Sequence, residues 1–168
     1  LHNWPALEIG KLVARDDRMM AALGTFEIKV TGRGSHGAMP HEGADPIVAA
    51  SQIVSALQAI ASRNVSPLES AVVSVTQIHG GDAWNVIPEE VVIKGTTRWF
   101  EETIGSKIKD RISVIANNVA ASFECTASLD YLPRYPATIN DPESARIVRN
   151  AAADLSEIDV VDAQPSMA

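Results

Sequence analysis

The sequence predicts an α+β fold in which an antiparallel four-stranded sheet carries two helices on one face. Two observations support this fold class: runs of β-branched residues with a two-residue alternation, and stretches whose apolar residues recur every three to four positions. These segments follow one another in the order β-α-β-β-α-β, which is the ferredoxin-like arrangement. A chain of 168 residues, 46% of them hydrophobic, is long enough to bury one such core.

The first half of this predicted unit contains a strand, a helix and a second strand. Residues 26–31 alternate between apolar and polar side chains, as a half-buried strand does. Asp45 followed by Pro46 is typical of a helix start, with Asp45 as the N-cap and Pro46 at the first helical position. We expect this helix to end near residues 63–64 and the second strand to cover residues 70–78. The expected apolar face of the helix consists of Ile47, Ala50, Ile53, Val54, Leu57, Ile60 and Ala61.

The second half contains a third strand, a second helix and a fourth strand. The third strand is predicted at residues 90–99 and the fourth at residues 123–132, which includes Cys125. Between these two strands, apolar residues recur every three to four positions, which predicts a helix with one apolar face. These residues are Ile104, Ile108, Ile112, Ile115 and Val119. A further helix is expected after Pro136, with Asp141 as its N-cap and Pro142 in its first turn. Its expected apolar face is Ala145, Val148, Ala152 and Leu155.

The predicted unit has short flanking segments on both sides. We expect it to occupy residues 23–136, and residues 1–22 and 137–168 to be pieces of a second domain of the α/β type. Neither flank is long enough to build a core of its own. Because neither terminus has the features of a domain boundary, we expect the chain to be part of a longer protein.

The net charge limits the kinds of partner that the protein can bind, and the cysteine content indicates its redox environment. The net charge of −7 argues against nucleic acid and against an anionic membrane as the main partner, and no apolar run approaches membrane-spanning length. A ferredoxin-like nucleic-acid binder would also need aromatic residues on its strands for base stacking, and these strands lack them. Cys125 is the only cysteine, so no intrachain disulfide can form, and we expect a buried thiol in a cytoplasmic protein.

Residues 32–41 form the loop with the strongest signal for chemistry. His36 and His41 lie among glycines directly after the first strand, where glycine permits close approach of the backbone to a ligand. Their spacing of five does not match the i, i+4 pair of a helical zinc site. A histidine in this setting can donate a hydrogen bond to an oxyanion on a reacting carbonyl. Either histidine can also be a purely structural loop residue, and the residues alone leave both interpretations open.

Three other residues could contact a ligand. Asn85 lies in the loop at residues 80–88, where asparagine also serves turns. Arg98 ends the third strand, and a guanidinium there could hold a carboxylate through two hydrogen bonds or lie solvated. His2 has the imidazole that suits zinc or manganese, although a single histidine indicates little by itself. His79 is interpreted as a polar residue at a strand end, and Trp84 and Trp99 as packing residues.

Several motifs together resemble one family. The segments that match it are residues 1–5, 32–41 with Asp45-Pro46, 80–88, 95–98, Tyr135-Pro136 and 140–142. In this order they resemble the metal-dependent amidohydrolases that include hippurate hydrolase, N-acyl-amino-acid amidohydrolase and the plant auxin-conjugate hydrolases. These enzymes are related to the carboxypeptidase G group of metallopeptidases. The match extends over nearly the whole chain.

The resemblance implies a catalytic domain with two divalent metal ions, zinc or manganese, and an inserted lid domain that forms a homodimer. It implies that His2 is a metal ligand and that His36 reaches into the active site of the other subunit to stabilise the oxyanion. Asn85 and Arg98 would bind the substrate, an N-acyl amino acid, at its carboxylate. The other metal ligands and the general base would lie outside these 168 residues. We therefore expect this chain alone to bind no metal pair and to be inactive; the alternative is a non-catalytic dimerisation module.

Overall fold

A computed structural model describes residues 2–167 and divides them into two compact units. Residues 22–136 form one unit, and the segments before and after them form the other. The strands are β1 Lys11–Leu12, β2 Asp17–Met20, β3 Ala22–Thr31, β4 Ser35–His36, β5 Ala71–His79, β6 Val86–Ile87, β7 Glu90–Trp99, β8 Thr126–Tyr135, β9 Thr138–Asn140 and β10 Asp159–Val160. The α-helices are α1 Pro46–Ala59, α2 Glu102–Ala121 and α3 Pro142–Ala153.

The unit of residues 22–136 is built on a four-stranded antiparallel sheet. The strand order is β5-β7-β3-β8, so the first long strand of the unit, β3, lies between the last two. Helix α1 follows β3 and helix α2 follows β7, and the helices pack against each other and against the sheet. The predicted α+β class and the antiparallel sheet are confirmed.

One face of the sheet is buried beneath the helices. Alternate residues of β3 and β7 are inaccessible to solvent, as the two-residue repeat of a strand requires. The largest buried side chains come from both layers: Ile28, Val30, Val91 and Ile93 from the sheet, and Ile53, Leu57, Ile108 and Ile112 from the helices. The opposite face carries ion pairs between neighbouring strands, Lys29–Glu90 at 2.6 Å and Lys94–Glu27 at 2.8 Å.

Both predicted N-caps are present. The Asp45 carboxylate accepts hydrogen bonds from the amides of Ile47 and Val48, and Pro46 is the first residue of α1. The Asp141 carboxylate accepts from the amide and the hydroxyl of Ser144 at the start of α3. These bonds hold the pKa of Asp141 below its usual range because they favour the charged carboxylate.

The fourth strand of the sheet begins later than predicted. Helix α2 ends in a turn in which the amide of Cys125 donates to the carbonyl of Ala120, and Glu124 adopts a left-handed conformation with φ of 57°. This is the Schellman arrangement that satisfies the last helical carbonyls. Cys125 therefore belongs to the helix end and not to a strand, although it is buried as expected.

Predictions of detail for β3 and α1 were also wrong. Strand β3 begins at Ala22 rather than at residue 26, so it is four residues longer than its apolar alternation indicated. Ile47 is 47% exposed, because the buried face of α1 is centred on Pro46, Ala50, Ile53 and Leu57.

The flanking unit joins segments from the two ends of the described chain. Strand β1 pairs in parallel with β10, and β2 pairs antiparallel with β9. Arg149 bonds the carbonyl of Ala14 and the carboxylate of Asp16, each at 2.7 Å. Within residues 2–167, no helix is both long and apolar enough to cross a bilayer.

Candidate functional site

His36 and Asn85 lie side by side at one end of the sheet. Strand β4, which ends at His36, pairs antiparallel with β6, and His36 lies opposite Val86. The amide of Gly37 donates a 2.7 Å hydrogen bond to the carbonyl oxygen of Asn85. The structure therefore brings together two of the residues singled out from the sequence, although 49 positions separate them.

The imidazole of His36 has a defined orientation. Its Nδ1 accepts a hydrogen bond of 3.1 Å from the amide of Ala38, so in the neutral ring the proton is on Nε2. The side chain is exposed, which leaves the Nε2–H free to donate. A donor fixed in this way can stabilise an oxygen on which negative charge develops.

The loop that carries His36 is held in place by contacts of the Arg33 side chain and by close packing of the backbone at Gly32. Arg33 donates to the carbonyls of Glu42 and Gly43, and its guanidinium lies 3.7 Å from the Glu124 carboxylate. Gly32 passes so close to the opposite side of the loop that a Cβ there would lie 2.1 Å from the carbonyl oxygen of Ala44. These contacts explain how a loop rich in glycine can keep a histidine in one position.

An apolar surface adjoins these two loops. A shallow hollow of about 450 Å³ is lined by Gly37, Ile47, Trp84, Val86, Ile87 and residues 80–83. The Trp84 side chain is fully exposed, and Ile47, Val48 and Val86 are each about half exposed. The interpretation of Trp84 as a packing residue is therefore not supported within this chain. An exposed apolar surface of this kind is typical of a contact site.

Arg98 lies at the opposite end of the sheet from His36. It is near the end of β7, with Val72 and Leu23 as its Cα partners, whereas Glu90 at the start of β7 pairs with Thr31 next to the His36 loop. The eight positions between Glu90 and Arg98 span roughly 26 Å at the rise of a strand. Within one chain, the structure does not bring Arg98 together with His36 and Asn85.

Arg98 has a partner that the sequence analysis did not assign. Its Nη1 donates a 3.0 Å hydrogen bond to the hydroxyl of Tyr135, at the end of β8. Tyr135 was noted only as part of a Tyr-Pro motif. The two residues are 37 positions apart, so only the strand register could have revealed the contact.

His2 lies in an irregular, exposed segment of the flanking unit. Across residues 2–167 there is no group of three or more His, Cys, Asp or Glu side chains placed to hold a metal ion. The residues that are described therefore do not fit a catalytic metal pair by themselves, because such a site needs several oxygen or nitrogen ligands around each ion.

The remaining histidines and the cysteine have other positions. His41 is exposed in a short 3₁₀ turn at Pro40–Glu42. The Nε2 of His79 is 3.1 Å from the side-chain oxygen of Gln77, at the end of β5. Burial raises the pKa of the Cys125 thiol, and the nearby Asp45 and Glu124 carboxylates add to this effect. A thiol in such surroundings is inert.

Comparison with known proteins identifies a family. Residues 21–124 match the family model described as the peptidase dimerisation domain of the M20 group. The chain is 40% identical over 168 residues to the N-acetyl-L-cysteine deacetylase of Bacillus subtilis, covering 100% of this chain and 40% of that protein. It is 37% identical over 172 residues to the IAA-amino acid hydrolase ILR1-like 4 of Arabidopsis thaliana, covering 99% of this chain and 39% of that protein.

A solved structure agrees with these relatives. The YXEP protein of Bacillus subtilis, described as a dinuclear metal-binding peptidase of the M20 family, matches with a TM-score of 0.75 and 30% identity. The match covers 99% of this chain and 41% of that one. The chain thus spans about two fifths of the length of the relatives it matches.

Proposed function

Because the chain belongs to the M20 peptidase dimerisation family, we propose that it is the lid and dimerisation part of an amidohydrolase that cleaves the amide bond of N-acyl amino acids. The names of its relatives support this substrate class, since they include a deacetylase of N-acetylcysteine and a hydrolase of IAA-amino acids. Residues 22–136 would be the lid, and the strand order β5-β7-β3-β8 supports the ferredoxin-like topology for it. The segments 1–21 and 137–168 would belong to the catalytic domain.

In this proposal His36 is the catalytic residue of the lid. The observation that carries the assignment is the hydrogen bond from the Ala38 amide to Nδ1, which leaves Nε2–H as a fixed, exposed donor. Such a donor would bind the oxyanion of the tetrahedral intermediate more strongly than the neutral carbonyl of the substrate, which is the requirement for catalysis. Asn85, joined to the same loop through Gly37, would bind the substrate beside it.

The distance between the two ends of the sheet supports a site shared by two subunits. Arg98 lies near Ala22 and Tyr135, where the chain enters and leaves the lid, and His36 lies at the far end. One small substrate cannot span the roughly 26 Å of β7 between Glu90, which lies next to the His36 loop, and Arg98. We therefore assign His36 and Asn85 of one subunit and Arg98 of the other to the same active site, with Arg98 binding the substrate carboxylate.

Strand β5 is the edge best suited to joining two lids. Among the described residues it is one of the two outer strands of the sheet, and it contains no Asp, Glu, Lys or Arg. The other outer strand, β8, carries Asp130, Pro133 and Arg134, which are residue types that discourage edge-to-edge pairing. A homodimer would pair the β5 edges about a two-fold axis.

The proposed enzyme would use two divalent metal ions, zinc or manganese. His2 would be one of the ligands, and the others would come from parts of the protein outside this chain. This chain alone would then be inactive. A cytoplasmic location remains a prediction from the sequence.

A complementation experiment in the full-length enzyme tests the shared site. Protomers with His36→Ala are mixed with protomers with Arg98→Ala under conditions that exchange subunits, and hydrolysis of N-acetyl amino acids is measured. Each mixed dimer then has one active site with both residues intact. Activity should rise to about a quarter of the wild-type value, because half of the dimers are mixed and half of their sites are intact.

The outcome separates the candidate functions. Activity that stays at the level of the two parent variants would contradict a site shared in this way. Full activity of the His36→Ala homodimer would leave dimerisation as the role of the lid. A full-length protein that hydrolyses no N-acyl amino acid would overturn the proposed substrate class.

A further inference from the structure

Arg98 and Tyr135 meet on the face of the sheet that the helices do not cover. They belong to different strands, β7 and β8, and both are paired with Leu23 of the strand between them. Each side chain therefore extends across Leu23 to form the 3.0 Å hydrogen bond from Arg98 Nη1 to the phenol oxygen. This bond fixes the rotation of a guanidinium that would otherwise be free to turn.

The pair has hydrogen-bonding capacity left for an anion. A guanidinium has five N–H donors, and the phenol accepts one of them. The phenol oxygen acts as the acceptor in this bond, so its own hydrogen remains available to donate. The hydrogen-bond partner of the Arg98 guanidinium on this face of the sheet is thus a neutral group.

We propose that Tyr135 is a second binding residue for the substrate carboxylate, acting together with Arg98. The inference rests on the proposed function and adds a residue to it. The carboxylate receives N–H donors from Arg98 and the O–H of Tyr135, so that three hydrogen bonds define its position. Substrates with a free carboxylate are thereby selected over their neutral amides, which would leave the charged guanidinium without its partner.

The matched variants for a test are Tyr135→Phe and Tyr131→Phe. Both remove one phenol oxygen from β8, and Tyr135 is half exposed, so the fold tolerates its loss. The Tyr131 hydroxyl bonds Thr97 on the buried face of the sheet and is not part of the proposed site. The substrates are an N-acetyl amino acid and the corresponding N-acetyl amino acid amide, measured with the full-length enzyme.

Tyr135→Phe should raise KM for the free acid about tenfold, the usual effect of losing one hydrogen bond to a charged group, with kcat within about a factor of two. KM for the amide substrate should be the same in Tyr135→Phe and in the wild type. Tyr131→Phe should leave KM unchanged with either substrate. In an Arg98→Ala background, Tyr135→Phe should have a much smaller effect, because the two residues act on one carboxylate.

Three results would overturn the inference. An unchanged KM in Tyr135→Phe, when Arg98→Ala raises it, would remove Tyr135 from the site and leave the proposed function intact. Equal losses with acid and amide would show a structural role for the phenol. A wild-type enzyme without activity on N-acyl amino acids would refute the proposed function, and this inference with it.

Discussion

The Gly37 amide donates a hydrogen bond of 2.7 Å to the Asn85 carbonyl oxygen, and this bond links the two loops that carry the candidate site. Next to it, β4 and β6 pair over only two residues each. The backbone positions of His36 and Asn85 are therefore held relative to each other by this bond and by the short β4–β6 pairing.

The first prediction concerns the two histidines of the 32–41 loop. In the full-length enzyme, His36→Ala should lower kcat by about 10²–10³, the typical loss for one oxyanion donor, with a smaller change in KM. His41→Ala is the matched control because His41 is also exposed on this loop and should leave kcat nearly unchanged. Steady-state kinetics on an N-acetyl amino acid gives both values. Equal effects of the two variants would contradict the role of His36.

A second prediction concerns the start of α1. Asp45→Ala removes the carboxylate that accepts from Ile47 and Val48, and should lower the free energy of unfolding by about 1 kcal/mol. Asp45→Asn keeps a side-chain acceptor at the N-cap and should recover most of the loss. Urea denaturation of this chain, followed by circular dichroism, measures the difference. The prediction fails if Asn is no better than Ala.

The third prediction concerns a buried pair of hydroxyl groups. Thr97 is fully buried, and its Oγ1 lies 2.7 Å from the Tyr131 hydroxyl. Thr97→Val leaves that phenol without a partner and should cost about 1–3 kcal/mol of stability. The double variant with Tyr131→Phe should be less destabilised than the sum of the two single variants, because it removes both polar groups. Denaturation midpoints of the four proteins test this, and strict additivity would contradict it.

The fourth prediction is a pH dependence. Burial raises the pKa of Tyr131 in the folded chain above its ordinary value of 10.0. The unfolded chain therefore loses this proton first, so the stability is retained below pH 10 and decreases as the pH rises towards the folded value. Tyr131→Phe should reduce the loss of stability above pH 10, and the free energy of unfolding measured by urea denaturation at several pH values checks this. A pH profile of Tyr131→Phe that is the same as that of the unchanged chain would contradict this assignment.

The fifth prediction concerns the edge of the sheet. Ile78 on β5 is 53% exposed and Leu132 on β8 is 48% exposed, so the two positions are matched in accessibility. Ile78→Lys should convert the proposed dimer to monomer, because it places a charge in the interface, whereas Leu132→Lys should leave the dimer intact. Light scattering after size-exclusion chromatography gives the masses. If only Leu132→Lys dissociates the dimer, β8 is the joining edge.

Local signals in the sequence predicted the elements well. Both N-caps, Asp45 and Asp141, were correct because a cap depends on residues within one turn of it. The bounds of β7 were also correct, since half of its residues are β-branched, which favours a strand. The first residues of β3 were missed because Gly24 has no pattern of its own. Gly24 pairs with Thr97 on β7, and the hydroxyls of Thr97 and Tyr131 fill the space that a Cβ would occupy, a contact between strands far apart in sequence.

The candidate site, too, could be predicted only in part from the sequence. The residue types pointed to His36, Asn85 and Arg98, and the resemblance supplied their expected roles. The sequence could not show that the first two share one end of the sheet and that Arg98 lies at the other, because this follows from the pairing of β4 with β6 and the direction of β7. The contact between Arg98 and Tyr135 was missed for the same reason.

The pairing of Leu23 with Tyr135 places the two ends of the unit of residues 22–136 on neighbouring strands. A domain whose entry and exit are adjacent can be inserted into a loop of a host protein, or removed from it, with little change in the distance between the cut ends. The unit of residues 22–136 can therefore be transferred between proteins as a whole. A chimaera that carries these residues in place of the corresponding domain of a relative would retain the chain connection on both sides.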